Sequence, residues 1–175
     1  MKDQKRIIFI TGGARSGKSR FAQELGQDFP EPRAYLATAQ PLDREMTERI
    51  LRHKQSRAAD WHTLEEPLRV AEAIRENGSR FHLILLDCLT LWISNLMMAG
   101  WSEEKIVRDT DLLIEAGQGT ECSLIFVGNE VGMGIVPENP QARTFRDLSG
   151  LVQQKIAREA DEVYLMVSGL PQRIK

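Results

Sequence analysis

The chain has 175 residues, 42% of them hydrophobic and 27% charged, with a formal net charge of −2. These values suit one globular domain with a sizeable core, and the near-neutral balance gives no electrostatic case for nucleic acid or an anionic membrane surface. No run reaches the roughly 18 apolar residues needed to span a bilayer, and the polar first six residues do not read as a secretory signal. Taken in chain order, apolar runs at residues 7–10, 34–38, 83–86, 124–127 and 163–167 read as buried strands with helix-like stretches between them. That alternation predicts an α/β fold with a mostly parallel central sheet flanked by helices.

The first run leads into Gly12-Gly13-Ala14-Arg15-Ser16-Gly17-Lys18-Ser19, and the helix that follows ends near Gly26. A polar helix is expected from about Asp43 to Arg57. A third helix, carrying Leu68, Ala71 and Ile74, stops at Asn77-Gly78. Residues 89–98 are strongly apolar and include Trp92. Ser102 with Glu103 and Glu104 caps the next helix, which closes around Gly117 to Gly119. Asn139-Pro140 opens a long helix on which Phe145, Leu148, Val152 and Ile156 recur at three- and four-residue spacing. With no internal repeat, low-complexity tract or linker, a single nucleotide-binding domain is expected over residues 1–175. Two gaps, residues 38–66 and 128–139, are long for plain connections. Cys88 and Cys122 lack C-x-x-C spacing and read as buried thiols in a reducing cytoplasm. Trp61, Trp92 and Trp101 read first as core.

The glycine-rich stretch fits G-x-x-x-x-G-K-[ST], the pattern of a phosphate-cradling P-loop. Its glycines let successive backbone N–H groups turn toward phosphate oxygens, and the start of the following helix adds positive potential. In that pattern Lys18 reaches the terminal phosphates and the Ser19 hydroxyl ligates Mg²⁺. Downstream, His82-Leu83-Ile84-Leu85-Leu86-Asp87 has the form of a Walker B strand. Asp87 therefore reads as a second Mg²⁺ position, with an ordinary helix-capping acid as the alternative.

Two stretches leave their readings open. His53 follows Met46 by seven residues and Ile50 by three, so it shares a helical face with both, as a packed histidine would. Yet Arg52, Lys54 and Arg57 beside it suit a polyphosphate, and a neutral imidazole is a competent nucleophile. Glu65 and Glu66, ahead of a Pro-led helix, read on their own as first-turn acids. The loop at residues 128–139 is either an ordinary surface loop or, through Met133, Ile135 and Val136, a cover for a large and partly apolar substrate. Arg143, Arg146 and Asp147 beside it read as a solvated helix face, with phosphate or subunit contacts as the other possibility.

The stretches TGGARSGKSRFA, YLATAQPLDREMTERILRHK, ILLDCLTLWISNLM and NEVGMGIVPENPQARTFRDLSGLVQQKIAREADEVYLMVSG together resemble the adenosylcobinamide kinase/adenosylcobinamide-phosphate guanylyltransferase family of cobalamin biosynthesis. The resemblance spans nearly the whole chain and implies a RecA-like P-loop NTPase fold, a homotrimer and two reactions. One phosphorylates adenosylcobinamide from a nucleoside triphosphate, ATP or GTP. The other moves GMP from GTP onto the resulting phosphate through a guanylyl-histidine. Carried over by position, Gly12, Gly13, Ala14, Arg15, Ser16, Gly17, Lys18 and Ser19 bind nucleotide phosphates, and Thr38, Ala39 and Gln40 sit at the nucleotide. The family's guanylylated histidine falls on His53, and its nucleotide-binding stretch on Lys54, Gln55, Ser56 and Arg57, with further contacts at Glu65 and Asp87. Where some members carry a His-His pair, this chain has Arg52-His53. Two other functions stay on the table from the sequence: a P-loop kinase without guanylyl transfer, and a nucleotide switch, though the chain lacks the N-K-x-D guanine signature.

Overall fold

The computed structural model describes residues 5–55 and 60–175, with Arg49 and His53 described by their backbone alone. Ser56 and Arg57, both expected at the nucleotide, lie outside the described residues. Among the described residues, seven strands form one sheet in the order β3-β2-β4-β5-β1-β6-β7. In sequence these are β1 (Ile7–Gly12), β2 (Arg33–Ala37), β3 (Trp61–Glu65), β4 (Leu83–Asp87), β5 (Ser123–Val127), β6 (Glu162–Val167) and β7 (Leu170–Arg173). All pair in parallel except β7, which returns antiparallel along β6. The α/β architecture expected from the alternating runs is the one observed.

The central strands read as unbroken apolar runs because both of their faces are covered. On one face Ile8, Ile10, Leu83, Leu85, Ile125 and Val127 pack beneath α1 (Lys18–Gly26) through Ala22, Phe21 and Leu25. On the other, Phe9, Leu36, Ile84, Leu86, Leu124 and Phe126 meet four helices. These are α3 (Val70–Asn77), α4 (Leu89–Met98), α5 (Glu103–Gly119) and α6 (Pro140–Glu159). Ser102 caps α5 by accepting from the Lys105 N–H, and Asn139 caps α6 by accepting from the Ala142 N–H, as the sequence leads one to expect.

Two strands escape the sequence reading, and both lie at sheet edges. In β3 only Trp61 is buried, and β7 is exposed throughout and contains Pro171. Edge strands with solvent on one side lose the apolar signature, and proline is tolerated there because no ladder bond is required of it. β3 corrects the reading of Glu65 as a first-turn helix acid, since Glu65 ends a strand. Helix α2 (Arg44–Gln55) occupies the expected polar stretch, and none of its described residues is buried. At the amino end of the sheet, Glu162 binds Arg6, Arg173 and the Tyr164 hydroxyl. The Tyr164 hydrogen bond, helped by the two arginines, holds the Glu162 carboxyl below its ordinary range.

Candidate functional site

The site is built from the loops at the carboxyl ends of the parallel strands, where an open α/β sheet leaves its crevice. After β1 the chain turns through Gly12 (φ 145°), Arg15 (φ 56°) and Gly17 (φ 94°) before entering α1. A Cβ on Gly12 would sit 2.5 Å from the Met166 carbonyl oxygen, so the turn needs glycine both for its conformation and for its closeness to β6. Neighbouring elements grip the loop from two sides. The Glu130 N–H donates to the Gly12 carbonyl at 2.9 Å, and the Gly169 N–H donates to the Ser16 carbonyl at 3.0 Å. Lys18 is buried; its Nζ donates to the Gly13 carbonyl at 2.6 Å and lies 3.4 Å from Ser16 Oγ. Gly13, Ala14 and Arg15 stay exposed around it, with Ser19 half-buried in the first turn of α1. A buried ammonium beneath an exposed glycine-rich turn at a helix start has the chemistry to suit a polyphosphate.

Asp87 ends β4 on the same sheet face as Leu83 and Leu85, the face that carries α1. Its carboxylate accepts a 2.5 Å hydrogen bond from the Tyr35 hydroxyl, which reaches it diagonally from β2. One strand, β5, separates β4 from β1, so Asp87 and the loop approach the crevice from nearby strands. Burial, with the negative charge of Asp87 second, pushes the neighbouring Cys88 thiol up to about 11. Cys122 is also raised by burial, and both cysteines are free and buried as expected.

Two side-chain amides, one buried and one half-buried, tie the strand ends together. Asn95 on α4 donates to the Thr38 carbonyl at 2.7 Å and the Pro67 carbonyl at 3.0 Å, joining the segments that follow β2 and β3. The Thr38 hydroxyl in turn donates to the Cys88 carbonyl and accepts from the Cys88 N–H, which brings in the end of β4. On the other flank Gln153 of α6 accepts from the Thr11 hydroxyl at 2.8 Å and donates to the Asn129 carbonyl at 2.8 Å. Thr38 is therefore wholly buried, while Ala39 and Gln40 emerge half-buried into the crevice.

On the β3 side, an ion pair joins Lys54 near the end of α2 to Glu65 at the end of β3. The pair places this end of α2 at the carboxyl end of the sheet, beside the crevice rather than against a sheet face. Gln55 is exposed next to it. Glu66 accepts from the Leu68 and Arg69 N–H groups at 2.9 and 2.8 Å and so organises the turn into α3. Of the two acids read as first-turn residues, Glu66 thus serves the helix entry and Glu65 faces α2.

Residues 128–139 form a loop held by Glu130 within it and by two arginines of the adjoining α6. Glu130 accepts from the Gly132 and Met133 N–H groups, Arg146 donates to the Gly132 carbonyl, and Arg143 donates to the Pro137 and Glu138 carbonyls. These arginines are loop braces rather than a merely solvated face. The bracing leaves Met133, Ile135 and Val136 exposed at the tip, Ile135 almost completely at 97%. A separate cleft of about 1230 Å³, lined in part by Lys5, Phe29, Arg80 and Gln118, lies at the opposite end of the sheet from this chemistry.

Sequence reasoning missed Tyr35, Asn95 and Gln153. The only signal for Tyr35 was strand alternation, which puts it two residues before the strand end on the α1 face. Nothing local marks an amide on a helix as a clamp for distant strand ends.

A gripped glycine-rich loop, a buried lysine beneath it and a strand-end carboxylate across the crevice define a P-loop nucleotide-binding α/β protein. The family model of cobinamide kinase / cobinamide phosphate guanyltransferase matches residues 8–174, and the chain belongs to that family. It is 44% identical over 181 residues to the bifunctional adenosylcobalamin biosynthesis protein CobU of Salmonella typhimurium strain LT2, covering 97% of this chain and 99% of the relative. Over the same spans it is 41% identical to the protein of the same name from Escherichia coli K12. It is also 39% identical over 166 residues to the bifunctional protein CobP of Pseudomonas aeruginosa PAO1, covering 95% of each.

Proposed function

We propose that this chain phosphorylates adenosylcobinamide with ATP or GTP and then transfers GMP from GTP to the product, giving adenosylcobinamide-GDP and pyrophosphate. Membership of a kinase/guanyltransferase family supports both reactions. The observation that carries the reading is the shared crevice: the Lys18 cradle and the Lys54–Glu65 end of α2 lie at the same end of one sheet. His53 precedes Lys54 directly. A helix with no buried described residue can adjust its position with little loss of packing, which suits a carrier of the nucleophile.

In the guanylyl half, His53 attacks the α-phosphorus of GTP and pyrophosphate leaves, forming a phosphoramidate. An oxygen of adenosylcobinamide phosphate then displaces the imidazole. Lys18, the loop N–H groups of residues 13–19 and Arg15 offset charge on the phosphates. Thr38, Ala39, Gln40, Lys54, Gln55, Ser56, Arg57 and Glu65 complete the nucleotide contacts in this proposal, with the Glu65 carboxylate accepting guanine N1–H and the 2-amino group. Guanine then competes with Lys54 for Glu65 and frees the ammonium for the triphosphate. In the kinase half the site holds the aminopropanol hydroxyl in line with the γ-phosphorus, mainly a problem of orientation.

The donor set also fits Mg²⁺. Among the described residues no group of three or more His, Cys, Asp or Glu could hold a metal by itself. Mg²⁺ is usually held by one or two protein oxygens together with phosphates and water, and Ser19 and Asp87 supply such oxygens. Bound there, Mg²⁺ would neutralise charge developing on the phosphates. The exposed apolar residues Leu42, Leu51, Met133, Ile135 and Val136 suit contact with a bulky corrinoid or with other copies in a homotrimer. Among the described residues no helix is long and apolar enough to cross a membrane, which agrees with the proposed cytoplasmic location.

Incubation with [α-³²P]GTP and Mg²⁺ tests the covalent step. Acid-labile, alkali-stable label on the protein is expected, absent from His53→Asn, while corrinoid phosphorylation persists in that variant. Bound nucleotide without label in the unaltered protein would reduce the function to a plain kinase.

A further inference from the structure

We infer that Tyr35 is a positioning residue that fixes the Asp87 carboxylate for the divalent cation accompanying the nucleotide. The inference rests on the proposed reading of Asp87 as a Mg²⁺ position.

Tyr35 is an unusual core residue for its place. It sits in the middle of β2 with 2% of its surface exposed, among Ile8, Ile10, Leu83 and Leu85 beneath α1. Nothing apolar there calls for a hydroxyl, and burying one is unfavourable without a partner. Its ring is held on one side by Trp61, edge to face at a centroid distance of 6.3 Å. The β2–β4 register sets Tyr35 opposite Leu85 and Ala37 opposite Asp87, so the phenol lies one diagonal step from the carboxylate. The hydroxyl donates to Asp87 Oδ2.

Asp87 is only half-buried, at a strand end that opens on the crevice. A carboxylate in that position would otherwise rotate between rotamers and water contacts. The buried hydroxyl removes that freedom by holding one oxygen, which leaves the other as the outward donor. Mg²⁺ demands near-ideal octahedral geometry and tolerates misplaced oxygens poorly. Partners that orient a metal-binding carboxylate typically account for about 10- to 100-fold in metal affinity. Phenylalanine at this position would preserve packing on Trp61 and lose the orienting bond.

The test is a Mn²⁺ titration followed by electron paramagnetic resonance, in the presence of α,β-methylene-GTP, which cannot transfer GMP. Tyr35→Phe is expected to weaken Mn²⁺ binding about tenfold and to raise the Mg²⁺ concentration for half-maximal turnover. The GTP KM at saturating Mg²⁺ and the melting temperature should stay near those of the unaltered protein. Asp87→Asn is expected to lose at least as much Mn²⁺ affinity, and adding Tyr35→Phe to it should cause no further loss. Unchanged Mn²⁺ affinity in Tyr35→Phe, with Asp87→Asn weakened, overturns the role of Tyr35 alone. Unchanged affinity in Asp87→Asn overturns both that role and the metal reading beneath it. A Tyr35→Phe loss that persists in the Asp87→Asn background also overturns it, because the tyrosine would then act by another route. If Tyr35→Phe melts early, 3-fluorotyrosine at position 35 provides the readout instead. Its ¹⁹F resonance should move as Mg²⁺ is added with the nucleotide analogue, and an unmoved resonance overturns the inference.

Discussion

The phosphate cradle and helix α2 serve one proposed reaction from opposite mechanical conditions. The cradle is gripped by Glu130 and Gly169 through backbone hydrogen bonds, carries a buried lysine and sits on strands covered on both faces. Helix α2 has no buried residue among those described, and the Lys54–Glu65 pair fastens one end of it beside β3. The difference separates two demands on a site that performs two transfers. Phosphates need a fixed field of N–H groups, because preorganised donors stabilise charge without reorganising. A nucleophile that must form a bond to phosphorus and later give it up needs room to approach and retreat. Rigidity is concentrated at the glycine-rich loop, where the proposal holds charge, and relaxed along α2, where it makes the covalent bond.

The comparison breaks most sharply at Gly12. Gly12→Ala forces a side chain into a positive-φ position with its Cβ 2.5 Å from the Met166 carbonyl oxygen. Backbone strain of this kind amounts to about 1–3 kcal/mol, and the clash adds to it. We expect a loss of about 3 kcal/mol in urea unfolding and loss of nucleotide binding in both half-reactions. Next is Asn95→Leu, which keeps the branched skeleton of the side chain but leaves the Thr38 and Pro67 carbonyls without their donor. The expected loss is about 2 kcal/mol. It should come with a raised KM for nucleotide, since Thr38 leads directly into Ala39 and Gln40, and the covalent labelling of His53 should still occur at saturating GTP. If Asn95→Leu leaves KM unchanged, the amide clamp is structural only.

How far the sequence could be read follows the same division. The cradle was legible because it is local: glycines, lysine and serine at fixed spacing follow an apolar run, and no distant residue is needed to recognise them. The central strands were legible because burial on both faces makes them continuous apolar runs. Edge strands β3 and β7 were not, since one solvent-facing side and Pro171 erase the pattern. The partners Tyr35–Asp87, Asn95–Thr38 and Gln153–Thr11 join residues 52, 57 and 142 positions apart. Such pairs exist only once sheet order is set. Spacing could place His53 on a helical face with Met46 and Ile50, both half-buried in the structure, but could not tell a packed face from an exposed one. Likewise Arg143 and Arg146 of α6 looked like solvated surface, and their hydrogen bonds to the loop became visible only when helix and loop were both in place.

The smallest expected effect on stability is at the other end of the comparison. Lys54 and Glu65 are 43% and 59% exposed, so water screens their attraction and two long side chains lose freedom to make it. Lys54→Met should therefore change unfolding free energy by less than about 0.5 kcal/mol, with even that difference shrinking as salt rises. Function should respond far more strongly. Removing the ammonium should raise the GTP KM for guanylyl transfer, and Glu65→Gln should erode discrimination between GTP and ATP, both without a change in melting temperature. Urea unfolding and parallel assays of the two half-reactions measure both sides of this prediction. A Lys54→Met loss above about 1 kcal/mol would exceed what an exposed pair supplies. It would mean that α2 is docked as firmly as the cradle, and the nucleophile would then have to reach phosphorus from a fixed helix, with the substrate rather than the protein making the approach.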